Sequence, residues 1–315
     1  MKALVFDRYG PPDVLQVREL PIPQPGPGQL LVRVHALPVG PGDCKLRAGA
    51  LRDFFEITFP KISGRYASGL VEAVGPGVSA PCPGDEVVLA SLHHDTGAAA
   101  EYVVRTPDQV TAKPAASSHV ETAALIQGGV SAWACLVGSG RVAHGDRVLV
   151  HGAAGAVGSA CVELARHLGA EVTAVCRSSD LAFVRGLGAH HAVAFDVPGE
   201  VERMTSHDVV IDLVGGAVHA LSCRLLRPGG RLVYLNALPL VLPDAGPTVA
   251  VINALIDDRG STLRRVLALA ERGVLRPRTA AILPLEQASA AHRMVEAGQA
   301  RRGRVVLTLR PTPEV

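Results

Sequence analysis

The sequence predicts an α/β protein of two domains, one rich in β-structure and one built on a doubly wound parallel sheet, and three observations predict it. The chain has 315 residues, too long for one ordinary α/β unit. Its texture changes near residue 117, from short runs punctuated by glycine and proline to apolar runs that alternate with segments of helical period. Within the second texture a strand, a glycine-rich turn and an amphipathic helix follow one another without a gap.

In the first region, segments 30–35, 69–74, 86–90 and 101–104 have β character, and turn signals such as Pro25-Gly26-Pro27-Gly28, Gly75-Pro76-Gly77 and Pro83-Gly84-Asp85 separate them. In the second, segments 148–151, 172–176, 192–195, 209–211 and 232–235 are apolar with few charges, the mark of parallel strands covered by helices on both faces. Between the first two, Val157, Cys161, Leu164, Ala165 and Leu168 form one face of a helix, which completes a βαβ unit. The tail reads as two helices, at 263–271 and 288–297, and a closing strand at 304–309 that rejoins the first domain. The expected division is 1–116, completed by about 260–315, around a second domain at 117–259.

Composition removes several classes of function. Hydrophobic residues make up 48% and charged residues 19%, a globular mixture rather than a disordered one. The net charge is +2, and the basic residues are scattered, so no track for nucleic acid is expected. Arg301, Arg302 and Arg304 cluster, and they read as a solvated turn. Six dispersed cysteines fit reduced thiols better than a disulfide scaffold or a zinc ribbon. The apolar start is too short for a signal peptide, and no run approaches about 18 uninterrupted apolar residues. A cytoplasmic protein with no membrane partner is the expectation.

The most informative stretch runs from Arg147 through Gly152, Ala153, Ala154, Gly155, Ala156, Val157 and Gly158. Small residues between a strand end and a helix start let backbone amides approach a pyrophosphate, and the helix dipole favours its negative charge. Gly155 allows that approach, and Gly158 lets the helix pack on the sheet. The usual dinucleotide fingerprint has glycine where Ala153 stands, and a lone glycine triplet also suits a plain tight turn. The flanking strand and helix favour the dinucleotide. At the end of the next strand the sequence reads Cys176-Arg177-Ser178-Ser179, with no carboxylate to bind a ribose diol. Arg177 offers a charge-assisted fork to a 2′-phosphate and Ser178 a neutral donor, so NADPH is the expected coenzyme. A solvated Arg177 is the alternative.

These residues carry a resemblance to a known family. Met1-Lys2-Ala3, Gly10-Pro11-Pro12-Asp13-Val14-Leu15, Gly40-Pro41-Gly42-Asp43, the run Gly69 to Val78, Ala100-Glu101-Tyr102-Val103-Val104, the turn above, Val209-Val210-Ile211-Asp212-Leu213-Val214-Gly215-Gly216 and Gly303-Arg304-Val305-Val306-Leu307 resemble the medium-chain dehydrogenase/reductase superfamily, in its zinc-free quinone oxidoreductase and enoyl reductase branch. The resemblance implies a GroES-like β-barrel catalytic domain around an inserted Rossmann domain, with the active cleft between them. It also makes a homodimer an expectation. The metal-bearing positions of the zinc alcohol dehydrogenases become Gly40, Arg65-Tyr66 and a place near Gln127, so no metal is expected. His93, His94 and Asp95 are residual candidates that read better as a solvated loop.

Without a metal to polarise a carbonyl, the expected small-molecule substrate is electron-poor, a quinone or an α,β-unsaturated carbonyl, whose reduced anion needs hydrogen-bond donors and a proton. Tyr66 is the candidate donor, with a packed tyrosine of tethered hydroxyl as the alternative. Asp43 matches a family position and suits a turn-stabilising role. Ser131 and Asn236 are candidates near the nicotinamide. The family's asparagine is Gly40 here, its acidic residue is Tyr66, and a frequent tyrosine is replaced around Leu51. These changes leave open a substrate in a biosynthetic pathway, and also a cofactor-binding or sensing protein without turnover. A zinc alcohol dehydrogenase is the third reading.

Overall fold

A computed structural model describes residues 1–91, 95–204, 206–235 and 248–309. The chain forms two compact units, one of Met1–Gln127, Asp258–Arg272 and Pro277–Val315, the other of Gly128–Asp257 and Gly273–Arg276.

The first unit opens with β1 (Lys2–Phe6), β2 (Gln16–Glu19) and β3 (Leu30–Val39), then α1 (Pro41–Ala48), β4 (Lys61–Ile62) and β5 (Tyr66–Val74). It continues through β6 (Glu86–Ala90), β7 (Tyr102–Arg105) and β8 (Val110–Ala112) to α2 (His119–Trp133), whose last turns from Gly128 belong to the second unit. The helical stretch His119–Ser139 is long and apolar enough to cross a membrane, but 78% of that window is buried inside the protein, the placement of a core helix.

The second unit holds β9 (Arg147–His151), α3 (Ala156–His167), β10 (Glu171–Cys176), α4 (Leu181–Gly186), β11 (His191–Ala194), β12 (His207–Asp212), α5 (Ala217–Arg224), β13 (Leu226–Tyr234) and β14 (Ala250–Asn253). Its strands pair in parallel in the order β11-β10-β9-β12-β13-β14. The order reverses between β9 and β12, and in doubly wound sheets ligands bind beyond the strand ends at such a reversal. Every residue of β12 is buried, as are all but the first of β9 and β10. That pattern needs helices over both faces. Leu149, Val210, Leu225 and Leu232 are among the residues of its core.

The chain then closes with α6 (Gly260–Glu271), β15 (Thr279–Pro284), α7 (Ala288–Glu296) and β16 (Arg304–Thr308). β16 pairs antiparallel with β3, Val305 opposite Val39, in the sheet β15-β16-β3-β5-β6-β8, and β7 also pairs with β3. A smaller sheet has the order β2-β1-β4. Phe6, Leu30, Val32, Leu37, Leu89 and Leu307 fill the core of this unit.

Candidate functional site

The glycine-rich turn lies directly beyond β9. Gly152 has φ +72°, a left-handed conformation that side chains resist. Its carbonyl accepts the Gly155 N–H at 3.0 Å, which closes the turn. Gly155 is the N-cap of α3, in extended conformation and with no side-chain cap. The amides of Ala156, Val157 and Gly158 therefore begin the helix without an intrahelical acceptor. Among the described residues, the neighbours of Gly155 leave its side-chain direction almost open, since a Cβ there would meet the Gly152 carbonyl oxygen alone, at 3.3 Å. Gly158 is different: a Cβ would fall 2.1 Å from that oxygen and 2.7 Å from the Ala153 Cα. One glycine leaves room for a ligand, and the other lets helix and turn touch.

Ala153 sits inside the turn. Its side chain is fully buried and its N–H donates to the Val175 carbonyl at 3.1 Å. It shapes the turn from within, while Ala154, Gly155, Ala156 and Val157 remain partly exposed. Ser131 is buried in α2. Asn236 lies outside the described residues.

A second group borders the turn. Asp212, at the end of β12, accepts the N–H groups of Val214 and Gly215 at 2.8 and 2.9 Å through one oxygen. Its other oxygen accepts from His219 Nδ1 at 2.5 Å. Those bonds hold the loop after β12 so that Val214 stands beside Gly152, where a Cβ would meet it at 3.4 Å. Opposite Asp212 in the sheet lies His151, and burial pushes its imidazole down to about 4.

The parallel register of β10 and β11 sets Cys176 beside Ala194, and two residues further on it brings Asp196 against Ser178. The Ser178 N–H donates to one Asp196 oxygen at 2.8 Å and its hydroxyl to the other at 2.9 Å. These bonds hold the Asp196 carboxyl below the usual carboxylate range. Arg177 is exposed, with its guanidinium 5.4 Å from the ring centre of Phe195. The run Cys176 to Ser179 carries no carboxylate of its own, and strand register supplies Asp196 from the neighbouring strand.

In the first unit, Tyr66 begins β5 with 1% of its surface exposed. Its hydroxyl donates to Asp258 Oδ1, and Arg65 donates from Nε to Asp258 Oδ2 at 2.9 Å. Burial pushes the Tyr66 phenol far above its ordinary range, although Arg65 pulls the other way. The tethered hydroxyl is thus the arrangement observed. Asp43 is the third residue of α1. Its Oδ2 accepts the Gly40 N–H at 2.9 Å and Gln127 Nε2 at 3.2 Å, a capping arrangement, and burial raises its carboxyl.

Arg304 corrects the expectation of a solvated turn, for it is 4% exposed, while Arg301 and Arg302 are exposed. Burial pushes its guanidinium down to about 10. A Cβ at residue 40 would fall 2.7 Å from Arg304 Nη1 and 2.5 Å from Gln127 Oε1, so any side chain there would displace the ends of these two side chains. Of the residual metal candidates, His93 and His94 lie outside the described residues, and the Asp95 carboxylate accepts from Gln109 Nε2 at 2.6 Å. The described residues contain no group of three or more His, Cys, Asp or Glu side chains placed to take a metal ion.

A family model described as the alcohol dehydrogenase GroES-like domain matches residues 26–115, and one described as zinc-binding dehydrogenase matches residues 187–307. The mouse NAD(P)H oxidoreductase RTN4IP1, mitochondrial, is 30% identical over 97% of this chain and 89% of its own length. The Streptomyces orinoci spectinabilin polyketide synthase system protein NorB is 35% identical over 90% of this chain and 13% of its own length. The solved quinone oxidoreductase from Coxiella burnetii superposes with a TM-score of 0.88 at 30% identity, covering 98% of this chain and 99% of that one. The fold combines a doubly wound parallel sheet with a GroES-like domain. The mitochondrial description of the mouse protein does not fit the cytoplasmic expectation.

Proposed function

The chain belongs to the medium-chain dehydrogenase/reductase superfamily and is an NAD(P)H-dependent oxidoreductase, and from that premise we propose that it reduces a quinone or an α,β-unsaturated carbonyl with NADPH. The observation that carries this reading is the strand-turn-helix unit: the open side of Gly155 and the first-turn amides of α3, which have no intrahelical acceptor and no side-chain cap, fit a diphosphate. The bound coenzyme supplies a hydride to an electron-poor carbon. Residues 154–158 hold its phosphates, Arg177 favours a 2′-phosphate, and the loop fixed by Asp212 and His219 forms a wall beside the turn.

A catalytic zinc does not fit the residues at the family's metal positions. Gly40, Arg65, Tyr66 and Gln127 offer no thiolate or imidazole, and the buried Arg304 guanidinium beside Gly40 adds a fixed positive charge. An acceptor activated by its own conjugation is therefore favoured over a simple ketone. The likeness to a stretch of a polyketide synthase system protein supports a biosynthetic setting. Tyr66 orients Asp258 and Arg65, and its tethered hydroxyl leaves the final proton to solvent.

The test is stopped-flow mixing with NADPH and a panel of quinones and enones, with NADPH fluorescence as the readout. Oxidation coupled to at least one acceptor is expected. Binding of NADPH without oxidation across the panel would favour a cofactor-sensing protein, the reading that the occupied Tyr66 hydroxyl supports. Stoichiometric zinc in the purified protein would overturn the metal-free assignment.

A further inference from the structure

We propose that Asp196 is a specificity-determining residue that opposes Arg177 in the choice of coenzyme, so that the protein accepts NADH as well as NADPH; this rests on the reading of the glycine-rich turn as a dinucleotide site. In doubly wound sheets the residue that accepts from the adenosine ribose and repels a 2′-phosphate stands at the end of the second strand, which here is β10. That place holds Arg177 and Ser178 instead. The neighbouring strand supplies the carboxylate, because pairing Cys176 with Ala194 puts Asp196 level with Ser178.

Both Asp196 oxygens are engaged, one with the Ser178 N–H and one with its hydroxyl. Each oxygen keeps a second lone pair. The carboxylate is therefore anchored in place, charged, and still able to accept from a ribose hydroxyl. Those two hydrogen bonds also occupy the donors that Ser178 would otherwise offer a 2′-phosphate. Arg177 is left as the attractive group, exposed to solvent and lying by the Phe195 ring. An attractive and a repulsive charge of similar exposure largely cancel toward a 2′-phosphate, while only Asp196 acts on a 2′-hydroxyl.

The experiment measures dissociation constants of NADPH and NADH by calorimetry for the unmodified protein and for Asp196→Asn, Asp196→Ala and Arg177→Ala. The unmodified protein is expected to bind the two coenzymes within about tenfold of each other, since exposed charges discriminate weakly. Asp196→Asn and Asp196→Ala should both tighten NADPH relative to NADH by about fivefold, and Arg177→Ala should weaken NADPH alone. The same ranking is expected for the fragments 2′,5′-ADP and ADP. If Asp196→Asn alters both coenzymes equally or neither, or if only Asp196→Ala shifts the ratio, the carboxylate serves merely to anchor the loop and the assignment fails. If neither coenzyme binds the unmodified protein, the dinucleotide reading falls and the assignment with it.

Discussion

Gly155→Ser separates the two demands made on the glycine-rich turn. Gly155 is the N-cap of α3, and its extended backbone suits serine. Serine is a stronger N-cap than glycine by a few tenths of a kcal/mol, because its hydroxyl accepts from an amide of the first turn. The new Cβ would meet the Gly152 carbonyl oxygen at 3.3 Å, a contact that shifts of a few tenths of an ångström relieve. The apo protein should therefore be as stable as the parent, or more stable by about 0.5 kcal/mol. The coenzyme should suffer, because the hydroxyl then competes for the amides that its diphosphate needs and the Cβ narrows its approach. Loss of one hydrogen bond to a charged acceptor costs about 1.5–3 kcal/mol, or roughly ten- to a hundredfold in affinity. Urea unfolding reads the first quantity and calorimetry with NADPH the second. Unchanged affinity in a well-folded Gly155→Ser protein would refute the placement of the diphosphate at this turn.

At Gly158 the balance is reversed. Alanine gains about 1 kcal/mol of helix propensity, but its Cβ collides with backbone at 2.1 and 2.7 Å. Overpacking of that kind costs about 1–3 kcal/mol, so urea unfolding should show a net loss in Gly158→Ala, and a gain would contradict the packing described. Acidification should destabilise the protein through its buried histidines. His151 is held down to about 4 by burial, so its stabilising contribution is complete above about pH 6.5 and is lost as the pH falls to about 4. Its share is roughly 3 kcal/mol over that window, and His151→Gln should flatten the fall in urea midpoint. Tyr66→Phe removes one hydrogen bond to a carboxylate that keeps Arg65, so about 1.5 kcal/mol is expected from unfolding curves. Turnover should stay within about threefold, whereas loss of a general acid costs at least a hundredfold. Asp258→Ala strands the Arg65 charge and the Tyr66 hydroxyl together and should cost about 3 kcal/mol.

These effects divide along the line that divides what the sequence made legible. The turn from Gly152 to Gly158 could be read because its constraints act between residues a few positions apart. The left-handed Gly152 and the contact of Gly158 with residues 152 and 153 are both local. The doubly wound sheet was legible for a related reason, since strands buried on both faces write their burial as contiguous apolar runs. Charged partners obey no such rule. Asp258 stands 192 positions from Tyr66, and Asp196 reaches Ser178 only through strand register. Arg304 follows Arg301 and Arg302 closely in sequence, but it opens β16 opposite Thr279 of β15 and is buried there. Each of these groups acts because folding removes its alternatives: water for Arg304, free rotation for Asp196, other acceptors for Tyr66. The fold and the phosphate-binding turn therefore follow from local chemistry, whereas coenzyme choice and the use of Tyr66 depend on pairings that exist only once the sheets have closed.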